Sequence, residues 1–304
     1  MKGASFSPVK DIPSLAGKVF LITGGNVGIG KQCALDLAKH NPAQIWIAAR
    51  NSQTGQAAVT EIKTSSPGVS VQFLEMDLSS FGSVKNGAKK FISIASRLDV
   101  LILNAGIMGG PAATTKEGYE IRFGTNHMGH ALLFKLLTPI LEKTASTPGS
   151  DVRILSLTST GYSHSHSTGI EFETLKSEQE HINIITKYCQ SKLANLLYAQ
   201  EMAKRYPQFT AVSLHPGEVK TELFTPDAGL LMRVIKTIYM PLVGVSVEEG
   251  AENSLWAATA KGVVTGEYYF PIGKAGTGTG FAKDDKLAKK LWEWTEKELK
   301  GQDI

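Results

Sequence analysis

Val19-Phe20-Leu21-Ile22-Thr23 runs straight into Gly24-Gly25-Asn26-Val27-Gly28-Ile29-Gly30, and from Gly30 to His40 apolar residues recur every three or four positions. A short apolar run with β-branched members reads as a buried strand, and the spacing after it reads as a one-sided helix. The turn between them needs glycine for a physical reason. Backbone N–H groups at a helix start, with the helix dipole behind them, can hold a pyrophosphate only where no side chain blocks the approach. Gly24, Asn26, Val27, Gly28, Ile29 and Gly30 are therefore candidates for a dinucleotide cradle. The spacing is Gly-x-x-x-Gly-x-Gly, not the commoner Gly-x-Gly-x-x-Gly, and an ordinary glycine-rich turn is the alternative. The strand before and the helix after are the context that the functional reading demands.

The same alternation continues along the chain. Gln44 to Arg50, Val69 to Met76, Val100 to Asn104, Val152 to Thr158 and Thr210 to Leu214 read as strands. Thr54 to Ser65, Ser83 to Ala95, Tyr119 to Lys143 and Tyr188 to Arg205 read as the helices between them. Gly266 to Pro271 adds a seventh strand, and Asp284 to Lys300 a closing helix. Crossovers between parallel strands are nearly always right-handed, so this order predicts an α/β fold: a doubly wound, Rossmann-like parallel sheet of about seven strands with helices on both faces. Residues 1–304 read as a single domain, with 1–17 as a surface arm. A second domain from Pro226 is the alternative, but the remaining chain is short and returns to strand pattern.

In such sheets ligands lie outside the carboxyl ends of the strands. The second strand ends Ala48-Ala49-Arg50-Asn51. No carboxylate stands there to accept from a ribose 2′-OH, while the fork of Arg50 suits a 2′-phosphate, so the choice between coenzymes points to NADP(H) over NAD(H). A solvated arginine at a strand terminus is the plainer reading. Asp77 and Leu78 follow the third strand, where Asp77 can accept from an adenine amino group. The small residues of Asn104-Ala105-Gly106 after the fourth let backbone approach the adenosine half. Each alone is an ordinary turn.

Tyr188-Cys189-Gln190-Ser191-Lys192 puts a phenol and an ammonium four residues apart, on one helix face. To act as an acid/base near neutrality, a phenol of pKa near 10 must fall by about three units, or about 4 kcal/mol. One ammonium at about 4 Å supplies about that much at an effective dielectric near 20. Burial acts the other way, so a positively charged oxidised nicotinamide has to help. Thr158-Ser159 ends the fifth strand, where a hydroxyl can donate to a substrate oxygen as charge develops on it. A turn-forming or capping serine would look the same.

Bulk properties narrow the classes. The formal charge of +4 is spread among interspersed acids and bases, which does not indicate nucleic acid. Cys33 and Cys189 are too few for a disulfide framework and lack zinc-site spacing, so no metal is expected and a reducing, cytoplasmic location is the default. Met1 to Lys18 has no apolar signal core. Leu230 to Val247 is interrupted by Arg233, Lys236 and Pro241, and falls short of the roughly 20 apolar residues a membrane span requires. His164 and His166 lack a third ligand nearby in sequence, and a polar loop explains them.

Taken together, Thr23 to Gly30, Asn104 to Gly106, Ser159 and Tyr188 to Lys192 resemble, in order, the motifs of the short-chain dehydrogenase/reductase family in its single-domain subclass, over about Lys18 to Leu299. Asn126-His127-Met128-Gly129-His130 resembles the family's helix with a catalytic Asn, and His215-Pro216-Gly217-Glu218-Val219-Lys220-Thr221 its nicotinamide-side loop. The long stretch between Ser159 and Tyr188, with Ser191 to Arg205 and Leu291 to Glu296, is similar to the retinol dehydrogenase and WW-domain oxidoreductase subgroup. The resemblance implies NADP(H)-dependent hydride transfer to or from a mostly apolar ketone, aldehyde or secondary alcohol. Tyr188 is then the acid/base, Lys192 its partner on the nicotinamide ribose, Ser159 the orienter of the substrate oxygen, and Asn126 the holder of a water that links Lys192 to solvent. Pro216 and Gly217 would line the nicotinamide, and Val219 and Thr221 would bind its carboxamide. Residues 222–245 resemble a substrate lid. The lid also explains the apolar stripe Leu230, Leu231, Val234, Ile235, Ile238 and Leu242, which an interfacial membrane helix would share. Tyr198 to Tyr206 reads either as a homodimer surface or as a core helix. A non-enzymatic NADP(H)-binding redox sensor is the rival function, though it has no need of Tyr188 and Lys192.

Overall fold

The computed structural model describes residues 5–219, 244–276 and 278–304. Seven strands, β1 (Val19–Thr23), β2 (Gln44–Ala49), β3 (Val71–Glu75), β4 (Val100–Leu103), β5 (Arg153–Leu157), β6 (Thr210–Leu214) and β7 (Tyr268–Tyr269), form one sheet in the order 3-2-1-4-5-6-7. Every neighbouring pair is parallel. The fold is thus the doubly wound, Rossmann-like α/β sheet that the alternation predicts. The chain leaves β1 toward β2 on one side and resumes at β4 on the other, which opens a crevice at the carboxyl ends of β1 and β4.

Alternation within each strand divides the apolar residues between two cores. Val19 and Leu21 face α3 (Phe81–Ile94), α4 (Gly129–Ala145), α5 (Ile184–Arg205) and α7 (Asp285–Glu298). Phe20 and Ile22 face α1 (Gly28–Ala38), α2 (Ser52–Ser65) and α6 (Val247–Thr259). A sheet covered on both faces explains why β1 and β4 are apolar nearly throughout, and why these two and β5 are buried at every position. On the first face Trp46 meets Phe91 edge-on at 5.2 Å, a geometry worth about 0.5–1.5 kcal/mol beyond burial.

Four segments differ in detail from the periodicity. The helix expected over Tyr119 to Lys143 is broken into Ile121–Phe123, a π-helical turn Gly124–Met128, and α4. The Glu120 carboxylate caps it by accepting from the N–H groups of Arg122 and Phe123. Gly129 lies so close to the chain after β3 that a Cβ there would meet the Leu78 carbonyl at 2.3 Å. The expected strand from Gly266 to Pro271 pairs only at Tyr268 and Tyr269, because Gly266 has a positive φ and Phe270 turns back to bond with Lys274. In the amino-terminal segment a helical turn, Pro8–Asp11, leads to Ile12 and Leu15, which are buried in the same core as Ala251 and Leu255. Finally, the Tyr198 side chain is buried within its own chain. It stacks on Trp292 of α7 at 4.6 Å, and the Arg205 guanidinium lies over the same indole. The stretch thus buries Tyr198, Ala199, Met202 and Ala203 in the core, while Lys204 and Arg205 remain exposed.

Candidate active site

The crevice wall nearest β1 is main chain. Gly24 and Gly28 have positive φ, and Val27 caps α1 in an extended conformation. A Cβ at Gly30 would sit 2.5 Å from both Asn104 Nδ2 and the Gly24 carbonyl, so only glycine permits this closure. Asn104 Nδ2 donates to the Thr23 carbonyl (2.8 Å), and the N–H groups of Asn104 and Ala105 both donate to Thr23 Oγ1 (2.9 and 3.0 Å). The first glycine turn and the Asn-Ala-Gly turn are thereby one unit. Asn26 Nδ2 donates to Thr54 Oγ1, and Asn51 Oδ1 accepts from the Thr54 N–H. This brings the glycine turn beside the exposed Arg50 and Asn51, the place where a ribose 2′-substituent would lie in a coenzyme held on the turn. Thr54 has no motif around it, and its side-chain link to Asn26 escaped the sequence reading. Asp77 Oδ1 is occupied by the Ser79 N–H and hydroxyl, and the side chain of Leu78 is buried, so Leu78 can serve a ligand only through its backbone.

The opposite wall is side chain. Lys192 Nζ lies 5.8 Å from the centre of the Tyr188 ring and donates to the Leu157 carbonyl at 3.1 Å, which leaves two ammonium hydrogens for a ligand. A Cβ at Gly161 would lie 3.3 Å from Cys189 Sγ, 3.4 Å from Ser159 Oγ and 3.9 Å from Tyr188 Cε1, so these groups converge around that glycine. Ser159 Oγ accepts from the Gly161 N–H at 3.1 Å, and the hydroxyl also bonds with the Tyr188 phenol, so the two groups can share one substrate oxygen. Asn126 sits in the π turn, completely buried. Its Oδ1 accepts from the Ile107 N–H, and its Nδ2 donates to the Ile107 carbonyl and to Ser191 Oγ. A Cβ at Gly106 would lie 3.2 Å from Lys192 Nζ and 3.3 Å from Asn126 Oδ1, so Asn126, Lys192 and the Asn-Ala-Gly turn meet at that point.

Burial sets the proton affinities here. It pushes the Tyr188 phenol well above its ordinary range, against the lowering effect of the Ser159 hydroxyl, and Cys189 and Glu218 add to the rise. It pushes Lys192 down to about 8. At neutral pH both groups hold their protons. The bare protein thus has a proton-donating phenol: desolvation dominates, and Ser159, not Lys192, is the neighbour that lowers its proton affinity.

The third boundary is the loop after β6. Pro216 and Gly217 line a cavity of about 300 Å³ with Val245, Glu249, Glu252, Pro271 and Ile272. Val219 is buried and paired with Val245, and Glu218 accepts from Thr160 Oγ1, which links this loop to the one after Ser159. Thr221, the stripe Leu230 to Leu242 and nearly all of the expected lid, 222–243, lie outside the described residues. His166 and His181 face the Glu171 carboxylate at 3.5 and 3.0 Å. Among the described residues no group of three or more His, Cys, Asp or Glu is arranged to hold a metal, and no helix is long and apolar enough to cross a membrane. The glycine cradle, with Lys192 beside Gly106, fits a dinucleotide.

The chain is similar to known proteins over nearly its whole length. Residues 18–167 match the family described as short chain dehydrogenase. The short-chain dehydrogenase/reductase drtF of Aspergillus calidoustus is 33% identical, the alignment covering 96% of this chain and 97% of the relative. Human retinol dehydrogenase 12 is 34% identical over 91% of this chain and 85% of its own. A crystal structure of an uncharacterised protein from Mycobacterium paratuberculosis superposes with a TM-score of 0.74 at 28% identity, over 98% of each chain. Glycine turn, Asn-Ala-Gly turn and buried Tyr-Lys pair stand together on this sheet, and the relatives match it nearly end to end; the chain belongs to the short-chain dehydrogenase/reductase family of nicotinamide-dependent oxidoreductases, near its retinol dehydrogenase-like subgroup.

Proposed function

We propose that the protein is an NADP(H)-dependent carbonyl reductase acting on mostly apolar ketones or aldehydes, and reversibly on the corresponding alcohols, with residues 1–304 as one catalytic domain and 222–245 as its lid. The observation that carries the reading is the convergence of Tyr188, Lys192 and Ser159 on one side of a crevice whose other side is a glycine cradle.

When bound, the nicotinamide supplies or accepts the hydride. Gly24, Asn26, Val27, Gly28, Ile29 and Gly30 hold the pyrophosphate, Arg50 and Asn51 the 2′-phosphate, and Asp77, Leu78 and Asn104 to Gly106 the adenosine half. Pro216, Gly217, Val219 and Thr221 hold the nicotinamide. Ser159 donates its hydroxyl hydrogen to the substrate oxygen, and Tyr188 delivers the proton to it. Lys192 stabilises the phenolate that this leaves and binds the ribose, while Asn126 fixes the turn beside it. A phenol protonated at neutral pH suits carbonyl reduction, where the donor must arrive with its proton. The apolar character of the substrate follows from the hydrophobic lid stripe, since pockets under such covers are lined mostly by apolar groups.

The test follows NADPH absorbance with a panel of aromatic and aliphatic ketones, aldehydes and alcohols, for the native protein and for Tyr188→Phe. Turnover that vanishes in the variant supports the assignment, and equal turnover in both removes Tyr188 from it. Tight NADPH binding without turnover on any substrate would favour the redox sensor.

A further inference from the structure

His130 stands four residues after Asn126 and is almost completely buried. Its Nδ1 lies 2.8 Å from the Asn126 carbonyl oxygen, and its Nε2 lies 2.8 Å from Thr23 Oγ1. A carbonyl oxygen can only accept, so the hydrogen is on Nδ1. A neutral imidazole then has a bare Nε2, and the Thr23 hydroxyl must donate to it. The oxygen of that hydroxyl is already accepting from the N–H groups of Asn104 and Ala105. Every bond in the chain therefore has a fixed direction, from the Asn104-Ala105 turn through Thr23 and His130 to Asn126. An imidazolium could not accept from Thr23, and it would add a charge near Lys192 and His127. Burial, helped by the Lys192 ammonium and opposed by the bond to Asn126, holds the His130 pKa down at about 4.

We infer that His130 is a positioning residue for hydride transfer: a neutral Nδ1–H imidazole that ties the coenzyme-side turn at Asn104 and Ala105 to the turn that carries Asn126. It touches neither substrate nor coenzyme and acts through Thr23 and Asn126. The inference rests on the function proposed above, and two of its readouts are independent of turnover.

Nitrogen-15 spectra of histidine-labelled protein at neutral pH, assigned by loss of the signal in the variants, should show Nδ1 protonated and Nε2 bare. The Nε2–H tautomer, or a titration between pH 5 and 8, would overturn the inference. His130→Asn places an amide N–H where Nδ1 stood and drops the Thr23 end, whose hydroxyl can turn to the Ile102 carbonyl, 3.4 Å away. His130→Gln reaches Thr23 and drops the Asn126 end. Losing one partner of a buried bond predicts a kcat about tenfold lower in His130→Gln, most of it restored in His130→Asn, and NADPH binding weakened more in His130→Asn than in His130→Gln. A purely structural role would lower the melting temperature and move kcat and NADPH affinity together in both variants; that pattern, or native values in both, would also overturn it. Failure of the native protein to turn over any ketone would count against the proposed function alone, since the spectra and the NADPH titrations still decide about His130.

Discussion

Around Gly24 to Gly30 the crevice is main chain from which side chains have been removed; around Tyr188 and Lys192 it is side chains from which water has been removed. The first region works by shape. A turn that closes to 2.5 Å against a hypothetical Cβ presents N–H groups whose donor character no accessible pH alters. The second works by burial, which raises one proton affinity, lowers another, and so makes chemistry depend on packing. The contrast teaches where each kind of damage should appear: steric substitutions in the first region should act on coenzyme binding, and polar or pH changes in the second should act on turnover and on stability.

The sharpest way to break the contrast is Tyr188→Phe. Removing the proposed acid/base should lower kcat about a thousandfold while NADPH affinity, read by fluorescence titration, stays near native. A comparable loss of affinity would mean that the two regions are not separable. Acid should come next. His127, His130 and His215 are pushed down to about 3, 4 and 4, chiefly by burial, to which the Lys192 ammonium adds for His130 and His215. Their folded values lie below the unfolded value near 6.5, so as pH falls below 6.5 the unfolded chain takes up protons that the native chain refuses. Stability should hold above pH 6.5 and fall between 6.5 and about 4, with a slope of up to about 1.4 kcal/mol per pH unit for each group. Urea unfolding at pH 7.5 and 5.5 checks this, and equal midpoints would refute the neutral, buried state of the three rings.

Gly30→Ala attacks the shape-based region. Overpacking of this kind costs about 1–3 kcal/mol, and the shift should appear as an NADPH affinity weakened about tenfold, with kcat at saturation far less affected. Arg50→Ala should have the smallest effect, because the side chain is exposed. Losing one charged contact there should weaken NADPH about tenfold or less and leave NADH nearly untouched. Equal losses for both coenzymes would remove the 2′-phosphate from its assignment.

Much of this was legible from residues alone, for reasons that differ by element. The strands of a sheet covered on both faces are rich in apolar and β-branched residues, which is why six of them are legible, whereas β7, at the edge and preceded by the positive φ of Gly266, is shorter than its pattern. A tyrosine and a lysine four apart on a helix must share a face whatever the fold around them. The π turn at Gly124 to Met128 was not legible, since the periodicity of apolar residues does not distinguish it from α-helix, and the close approach of Gly129 to the turn at Leu78 joins segments far apart along the chain. Nor was the covering of Tyr198, because a stripe that faces a partner helix looks the same whether the partner is Trp292 of its own chain or a second molecule.

The sequence by itself determined the alternation of strand and helix, the glycine cradle, and the pairing of Tyr188 with Lys192, because all of these are set by spacing within a few residues along one chain. Only the tertiary structure decided that Thr23, His130 and Asn126 form one directed chain of hydrogen bonds, and that burial keeps the phenol protonated and brings Lys192 down to about 8. Proton affinity depends on what surrounds a group in three dimensions, and those surroundings come from segments far apart along the chain.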